Sequence, residues 1–143
     1  MPQCDVLINN AAVDNRDLLE DADYEKIIET INVNLISPMI LCAQFSKANK
    51  NGTIINISSS CIKTNRTNSI VYSVSKFGLH KLTDLMMQYN YGKPTRVVEI
   101  IPGKTNTTMS DKSDLMIEPN EVAETVEIAL KNQNINQIFV KSL

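Results

Sequence analysis

Glycine, histidine and cysteine are scarce in this chain, and each scarcity removes a class of function. Only four glycines occur in 143 residues: Gly52, Gly78, Gly92 and Gly103. None forms a glycine-rich turn between a strand and a helix, the device that brings backbone amides to a pyrophosphate. The three cysteines, Cys4, Cys42 and Cys61, are odd in number and too far apart for a metal knuckle or a redox CxxC pair. They read as reduced thiols serving as small apolar residues, and no metal site is expected. The single histidine, His80, reads as a helix-surface or subunit-contact residue. An excess of basic charge is missing too. Fourteen Lys and Arg oppose sixteen Asp and Glu, giving a net charge of −2 and a pI near 5.4. Scattered cations in that balance offer no field for nucleic acid or an anionic membrane. The first residues hold no basic stretch followed by an apolar one, and no apolar run approaches spanning length. The expected location is cytoplasmic.

What remains is an ordinary globular mix, 43% hydrophobic and 21% charged, long enough for one domain with a single core. Residues 4–10 form a short, continuously apolar segment ending in asparagines, the pattern of a strand buried on both faces. Ile27, Ile28, Ile31, Leu35, Met39 and Cys42 recur at helical spacing and predict a helix over 24–48. Residues 53–57 are rich in β-branched side chains and predict a second strand. A polar loop over 58–69 leads to a predicted helix over 71–91. A third strand over 96–101 stops at Pro102-Gly103, a helix spans 119–131, and a last strand covers 137–141. Pro119 suits a first helical turn, and Glu121 and Lys131 match the two ends of the helix dipole. The order β-α-β-α-β-α-β without a hairpin signal predicts an α/β fold, a parallel sheet with helices on its faces.

Tyr72 and Lys76 are the pair that carries chemistry. Four residues on a helix is about one turn, so both side chains address the same small volume. A phenol beside an ammonium is a proton donor whose anion is stabilised, which carbonyl reduction near neutral pH requires. A free tyrosine, with a pKa near 10, is a poor base at pH 7, and a neighbouring cation is expected to lower that value by roughly one to three units.

Five features occur in a fixed order: Asn9-Asn10-Ala11 at a strand end, Asn34 in the next helix, Ser59 past the second strand, Tyr72-x-x-x-Lys76, and Pro102-Gly103 after the third strand. Together they resemble the short-chain dehydrogenase/reductase family, from residue 4 to the C-terminus, matching the part of that fold from its fourth strand onward. The resemblance implies a partial doubly wound, Rossmann-type parallel sheet without its first βαβ units, so that residues 1–143 form a single incomplete domain holding the catalytic half. It implies that Tyr72 is the acid/base, that Lys76 supplies positive charge and binds ribose hydroxyls, and that Ser59 holds the substrate oxygen. Within Ser58-Ser59-Ser60, the thirteen-residue spacing to Tyr72 favours Ser59. Asn34 would complete a catalytic set by linking Lys76 to water through its backbone carbonyl. Pro38, four residues later and without an N–H, leaves that carbonyl free of its helical partner.

The cofactor implied is NAD or NADP. Asn9 and Ala11 would run past the adenosine ribose, Tyr72 and Lys76 would face the nicotinamide ribose, and Pro102, Gly103, Thr105 and Thr107 would contact the carboxamide. Ala12 stands where the family usually has glycine. Residues 104–118 would form a substrate lid, short and polar enough for a compact hydroxylated substrate. The partners implied are a small-molecule ketone or secondary alcohol, and a second copy in a homodimer or homotetramer joined through helices 24–48 and 71–91. The family's fourth strand pairs with its first, so residues 6–8 are expected to be an exposed apolar edge, and the chain alone is expected to fold poorly, as a truncated form of a longer reductase. The rival readings are a non-catalytic remnant serving as an interaction or regulatory protein, and complementation by a separate chain carrying the missing half.

Overall fold

The computed structural model describes residues 4–16, 18–49, 51–64, 66–109 and 115–141. Four strands, β1 (Val6–Asn9), β2 (Thr53–Ile57), β3 (Arg96–Pro102) and β4 (Gln137–Val140), form one sheet in the order β1-β2-β3-β4. Every pairing is parallel, with Ile8 opposite Ile55, Ile55 opposite Val98, and Ile100 opposite Ile138. Strand alternation divides the core between two faces. Ile55, Ile57, Val98 and Ile100 meet Val122, Val126, Ala129 and Leu130 of α4 (Pro119–Lys131). On the other face, Ile54 packs with Leu7, with Cys42 and Phe45 of α2 (Ser37–Ala48), and with Met86 of α3 (Ile70–Tyr89). Helices on both faces explain why β2 and β3 are near-continuous apolar runs.

Local chemistry sets the helix ends. Asp23 caps α1 (Tyr24–Ile31) by accepting the Glu25 N–H at 3.1 Å. Glu118 and Glu121 form a reciprocal capping box at the start of α4, with Pro119 in the first turn. Past α3, Gly92 takes the left-handed conformation at φ 74° and turns the chain toward β3. Gly78 lets α3 approach closely, since a Cβ there would lie 2.8 Å from Leu35 Cδ2.

The structure departs from the sequence expectations in four places. The predicted helix over 24–48 is a composite: α1, a π-helical turn at Asn32–Ile36, then α2. Within that turn the Ser37 N–H reaches back to the Asn32 carbonyl, one residue further than an α-helix allows. Pro38 follows at once, so the wider turn sits where the proline removes an α-helical donor. The loops also hold short 3-10 turns at Leu19–Asp21 and Ser60–Lys63. β1 is not buried on both faces; it is an edge strand with Ile8 44% exposed, in line with the expected apolar edge. Finally, Tyr24–Ala48 is long and apolar enough to cross a bilayer by length and composition, contrary to the expectation that no run approaches that length. Its apolar residues pack on α3 and β1 through Cys42 and Phe45, and it buries the polar Thr30 and Asn34.

Arg96 closes the far end of the sheet. Its guanidinium donates to the carbonyls of Ala129 (2.8 Å), Asn132 (2.9 Å) and Ile135, tying β3 to the C-terminal end of α4. Arg96→Gln should cost roughly 2 kcal/mol of stability through those unpaired carbonyls. Urea unfolding of the two proteins checks this; a midpoint unchanged by the substitution would exclude the role.

Candidate active site

The carboxyl ends of parallel strands leave a crevice where an α/β sheet places its ligands. Here β1 ends at Asn9, β2 at Ile57 and β3 at Pro102, on one side of the sheet. The first turns of α3 bring Tyr72 and Lys76 to that side, and Ser59 stands just beyond β2 as the cap of the 3-10 turn, accepting the Cys61 N–H at 3.3 Å.

Lys76 is 2% exposed, and its Nζ donates to the Ile57 carbonyl at 2.8 Å. Burial pushes the ammonium down to about 8. Tyr72 is pushed up to about 12, first by burial and against the pull of the neighbouring Ser59 hydroxyl. Charge at Cys61 and Asp14 raises it further, whereas the Arg66 guanidinium lowers it. The expected lowering of Tyr72 by Lys76 is therefore corrected. The phenol is desolvated, the ammonium is turned to the Ile57 carbonyl, and Nζ lies 5.9 Å from the Tyr72 ring centre. Ser59, Tyr72 and Lys76 thus share one corner of the fold.

Asn34 lies behind that corner, fully buried. Its side chain clamps Val13 from both sides, accepting the N–H at 2.8 Å and donating to the carbonyl at 2.8 Å, and also donates to Ser75 Oγ at 3.0 Å. The side chain therefore holds the post-β1 loop against α3. Asn9 is buried beneath the crevice, its amide donating to Asn56 Oδ1 at 2.7 Å. Asn56 in turn donates to Thr83 Oγ1 on α3 at 2.8 Å. Ala11 is exposed on the loop that follows β1.

On the third strand end, Pro102 is buried, and the Gly103 N–H bonds the Val140 carbonyl at 2.8 Å. A Cβ on Gly103 would stand 3.1 Å from Ile117 Cδ1. Thr105 Oγ1 donates to the Gly103 carbonyl at 3.1 Å, and Thr107 Oγ1 accepts the Met109 N–H at 3.2 Å. The expected lid is pinched at its base, where Asn106 N–H meets Ile117 O at 2.8 Å and Ile117 N–H meets Lys104 O at 3.0 Å. Its residues 110–114 lie outside the described residues. His80 is half-buried on α3, its Nδ1 2.9 Å from the carboxylate of Glu99, itself 1% exposed.

Three residues at the mouth had no signal in the sequence. Asp14 accepts the Arg16 N–H at 3.1 Å and the Ser69 hydroxyl at 3.3 Å. Arg16 reaches across to the Met109 carbonyl, joining the post-β1 loop to the lid. Arg66 holds its guanidinium carbon 6.0 Å from the Tyr72 ring centre. Loop residues of this kind follow no period, so only the folded arrangement identifies them.

The depressed Lys76 value has a measurable consequence. Its unfolded value of 10.5 falls to about 8 in the fold, so the favourable state is the neutral amine and stability is lost as pH falls through 8. Tyr72, raised from 10.0 to about 12, acts oppositely, with stability lost as pH rises above 10. Stability should therefore climb between pH 8 and 10, by on the order of 3 kcal/mol at most. Lys76→Met should flatten that window; denaturation midpoints that climb equally in the variant would refute the assignment.

Comparison with known proteins supplies independent observations. A model of the family described as short chain dehydrogenase matches residues 1–118. An uncharacterized oxidoreductase of Thermotoga maritima is 34% identical over 119 residues, covering 81% of this chain and 46% of that protein. The ketoacyl reductase HetN of Nostoc sp. is 30% identical over 145 residues, covering 94% of this chain and 50% of that protein. Among solved structures, a metagenomic short-chain oxidoreductase in complex with NADP superposes with a TM-score of 0.83 at 29% identity, covering 99% of this chain and 62% of that one. An alcohol dehydrogenase from Thermococcus sibiricus complexed with 5-hydroxy-NADP shares the fold at a TM-score of 0.86 and 23% identity, covering 97% of this chain and 63% of that one. The chain spans about half the length of these two curated relatives.

Proposed function

The chain belongs to the short chain dehydrogenase family, and we propose that its site interconverts a ketone and a secondary alcohol, with Tyr72 as the proton-transfer group. NAD or NADP, as in the neighbours solved with NADP, would supply or accept the hydride. The carrying observation is Tyr72 set between the Ser59 hydroxyl and the buried Lys76, at the ends of three parallel strands.

The residues present fit the nicotinamide end of such a cofactor. Lys76 has three N–H donors and one hydrogen-bond acceptor among the described residues, the Ile57 carbonyl, so donors remain for a ribose diol. Gly103 keeps the β3 end free of a side chain beside Pro102, with Thr105 and Thr107 following. Ala11 and the end of β1 would pass the adenosine ribose, with Asn9 securing the strand from below. The pyrophosphate needs amides that none of these four glycines provides.

In the proton step, Ser59 holds the substrate oxygen against Tyr72, whose phenol donates in the reducing direction. A phenol held near 12 is protonated at neutral pH, so the donating form is the one present. Lys76 orients the ribose, and Asn34 acts as a positioning residue through Val13 and Ser75. Its backbone carbonyl, lacking the α-helical donor at Pro38, would accept from a water on the way to Lys76. The exposed Ile36 in the π-helical turn, Met39 and Ile40 on α2, and Val74, Phe77 and Leu85 on α3 support a homodimer or homotetramer joined there. A second reading is a non-catalytic interaction protein; titration with NADH and NADPH separates the two, since only the first requires binding.

Tyr72→Phe should lower kcat by about 10²- to 10⁴-fold while leaving nucleotide affinity nearly intact. Stopped turnover with intact binding is the expected pair of results; full activity in Tyr72→Phe would remove the reading. Pro38→Ala, which restores an amide opposite Asn34, should reduce kcat more than it shifts the unfolding midpoint. A kcat equal to the parent's would exclude the relay through that carbonyl.

A further inference from the structure

The connection between α2 and β2 runs over residues 49–52 and carries the chain's one Asn-Gly step, Asn51-Gly52. Asn51 is exposed at a bend, and its side-chain amide has no hydrogen-bond partner among the described residues. Other asparagines are held. Asn49, Asn90 and Asn132 sit at the ends of α2, α3 and α4, and each donates its amide to a carbonyl one turn back.

Gly52 is buried and fixed on one side only. Its carbonyl accepts the Arg96 N–H at 2.9 Å, and the Thr53 N–H donates to the Asp5 carbonyl at 2.9 Å, so the peptide after it is tied to the chains on both sides. The Gly52 N–H, on the peptide before it, has no partner among the described residues. Packing also keeps this residue a glycine, since a Cβ would stand 2.3 Å from Phe45 Cζ. The nitrogen therefore carries no neighbouring side chain to shield it.

Those conditions suit one covalent reaction. The Gly52 nitrogen gives up its proton to solvent and adds to Asn51 Cγ. The bond from Cγ to the side-chain nitrogen breaks, ammonia leaves, and a five-membered succinimide closes. Water then opens the ring. Attack at Cγ yields aspartate, whereas attack at the main-chain carbonyl yields isoaspartate, whose chain runs through Cβ and Cγ. One water enters, one ammonia leaves, and nothing is oxidised or reduced.

We propose that Asn51 is a site of spontaneous isoaspartate formation in the folded protein. The product adds one carboxylate to a chain of net charge −2 and one backbone carbon just ahead of the tied peptide at the start of β2. The proposal is independent of the reductase reading.

The test ages the folded protein in mildly alkaline buffer at physiological temperature. Peptide mapping by mass spectrometry should find the Asn51 peptide heavier by the difference between a hydroxyl and an amino group. That conversion should run at least about tenfold faster than at any other asparagine. An isoaspartyl methyltransferase with labelled S-adenosylmethionine should mark the same peptide. Asn51→Gln, whose attack would need a six-membered ring, should remove both signals and keep the parent's unfolding midpoint. Ageing in urea sets the unrestrained rate, and the folded protein should react within about tenfold of it. Asn51 left intact in the folded protein while it reacts in urea, or a label that survives Asn51→Gln, would overturn the proposal.

Discussion

A buried ammonium governs this fold's working end. Lys76 is almost wholly removed from water, and the Ile57 carbonyl at the tip of β2 accepts its one hydrogen bond among the described residues. Desolvating a charge this way costs several kcal/mol unless partners are held in place. The cost requires that β2 end where it does and that α3 cross that end in a fixed rotation. Tyr72, one turn earlier, is placed by the same constraint, and Ser59 meets it from the loop that leaves β2.

Polar side chains beneath the site enforce this arrangement. Asn9, Asn56 and Thr83 run from β1 through β2 to α3, each in hydrogen-bond contact with the next. A register slip of one residue would point Asn56 at α4 and leave three buried polar groups unpaired. Asn34 does the same for the loop after β1, by pairing with both backbone groups of Val13. The strand-end crevice is thus held by hydrogen bonds with direction, whereas the apolar core supplies the bulk of the burial.

Much of this was legible in the chain itself. Parallel topology follows from strands and helices that alternate without a hairpin turn, and the four strands fall within two residues of expectation. Tyr72 and Lys76 were legible because a helix converts a spacing of four into a shared face. The π-helical turn at Asn32–Ile36 was only half legible: Pro38 marks a lost donor, but not that the ladder widens rather than kinks. The ionisation of Tyr72 was misread from the sequence. Adjacency to a lysine implies a lowered value, yet burial raises it to about 12 and the ammonium turns elsewhere.

Sequence alone determined the fold class, the family resemblance and the candidate groups, because periodicity and spacing are properties of the chain's own order. Tertiary structure decided which of those groups meet. Asn34 and Asn9 proved to be clamps, and His80 proved to face a buried Glu99. The reason is physical: desolvation and hydrogen-bond geometry depend on neighbours brought from distant positions, and no local pattern encodes who those neighbours are.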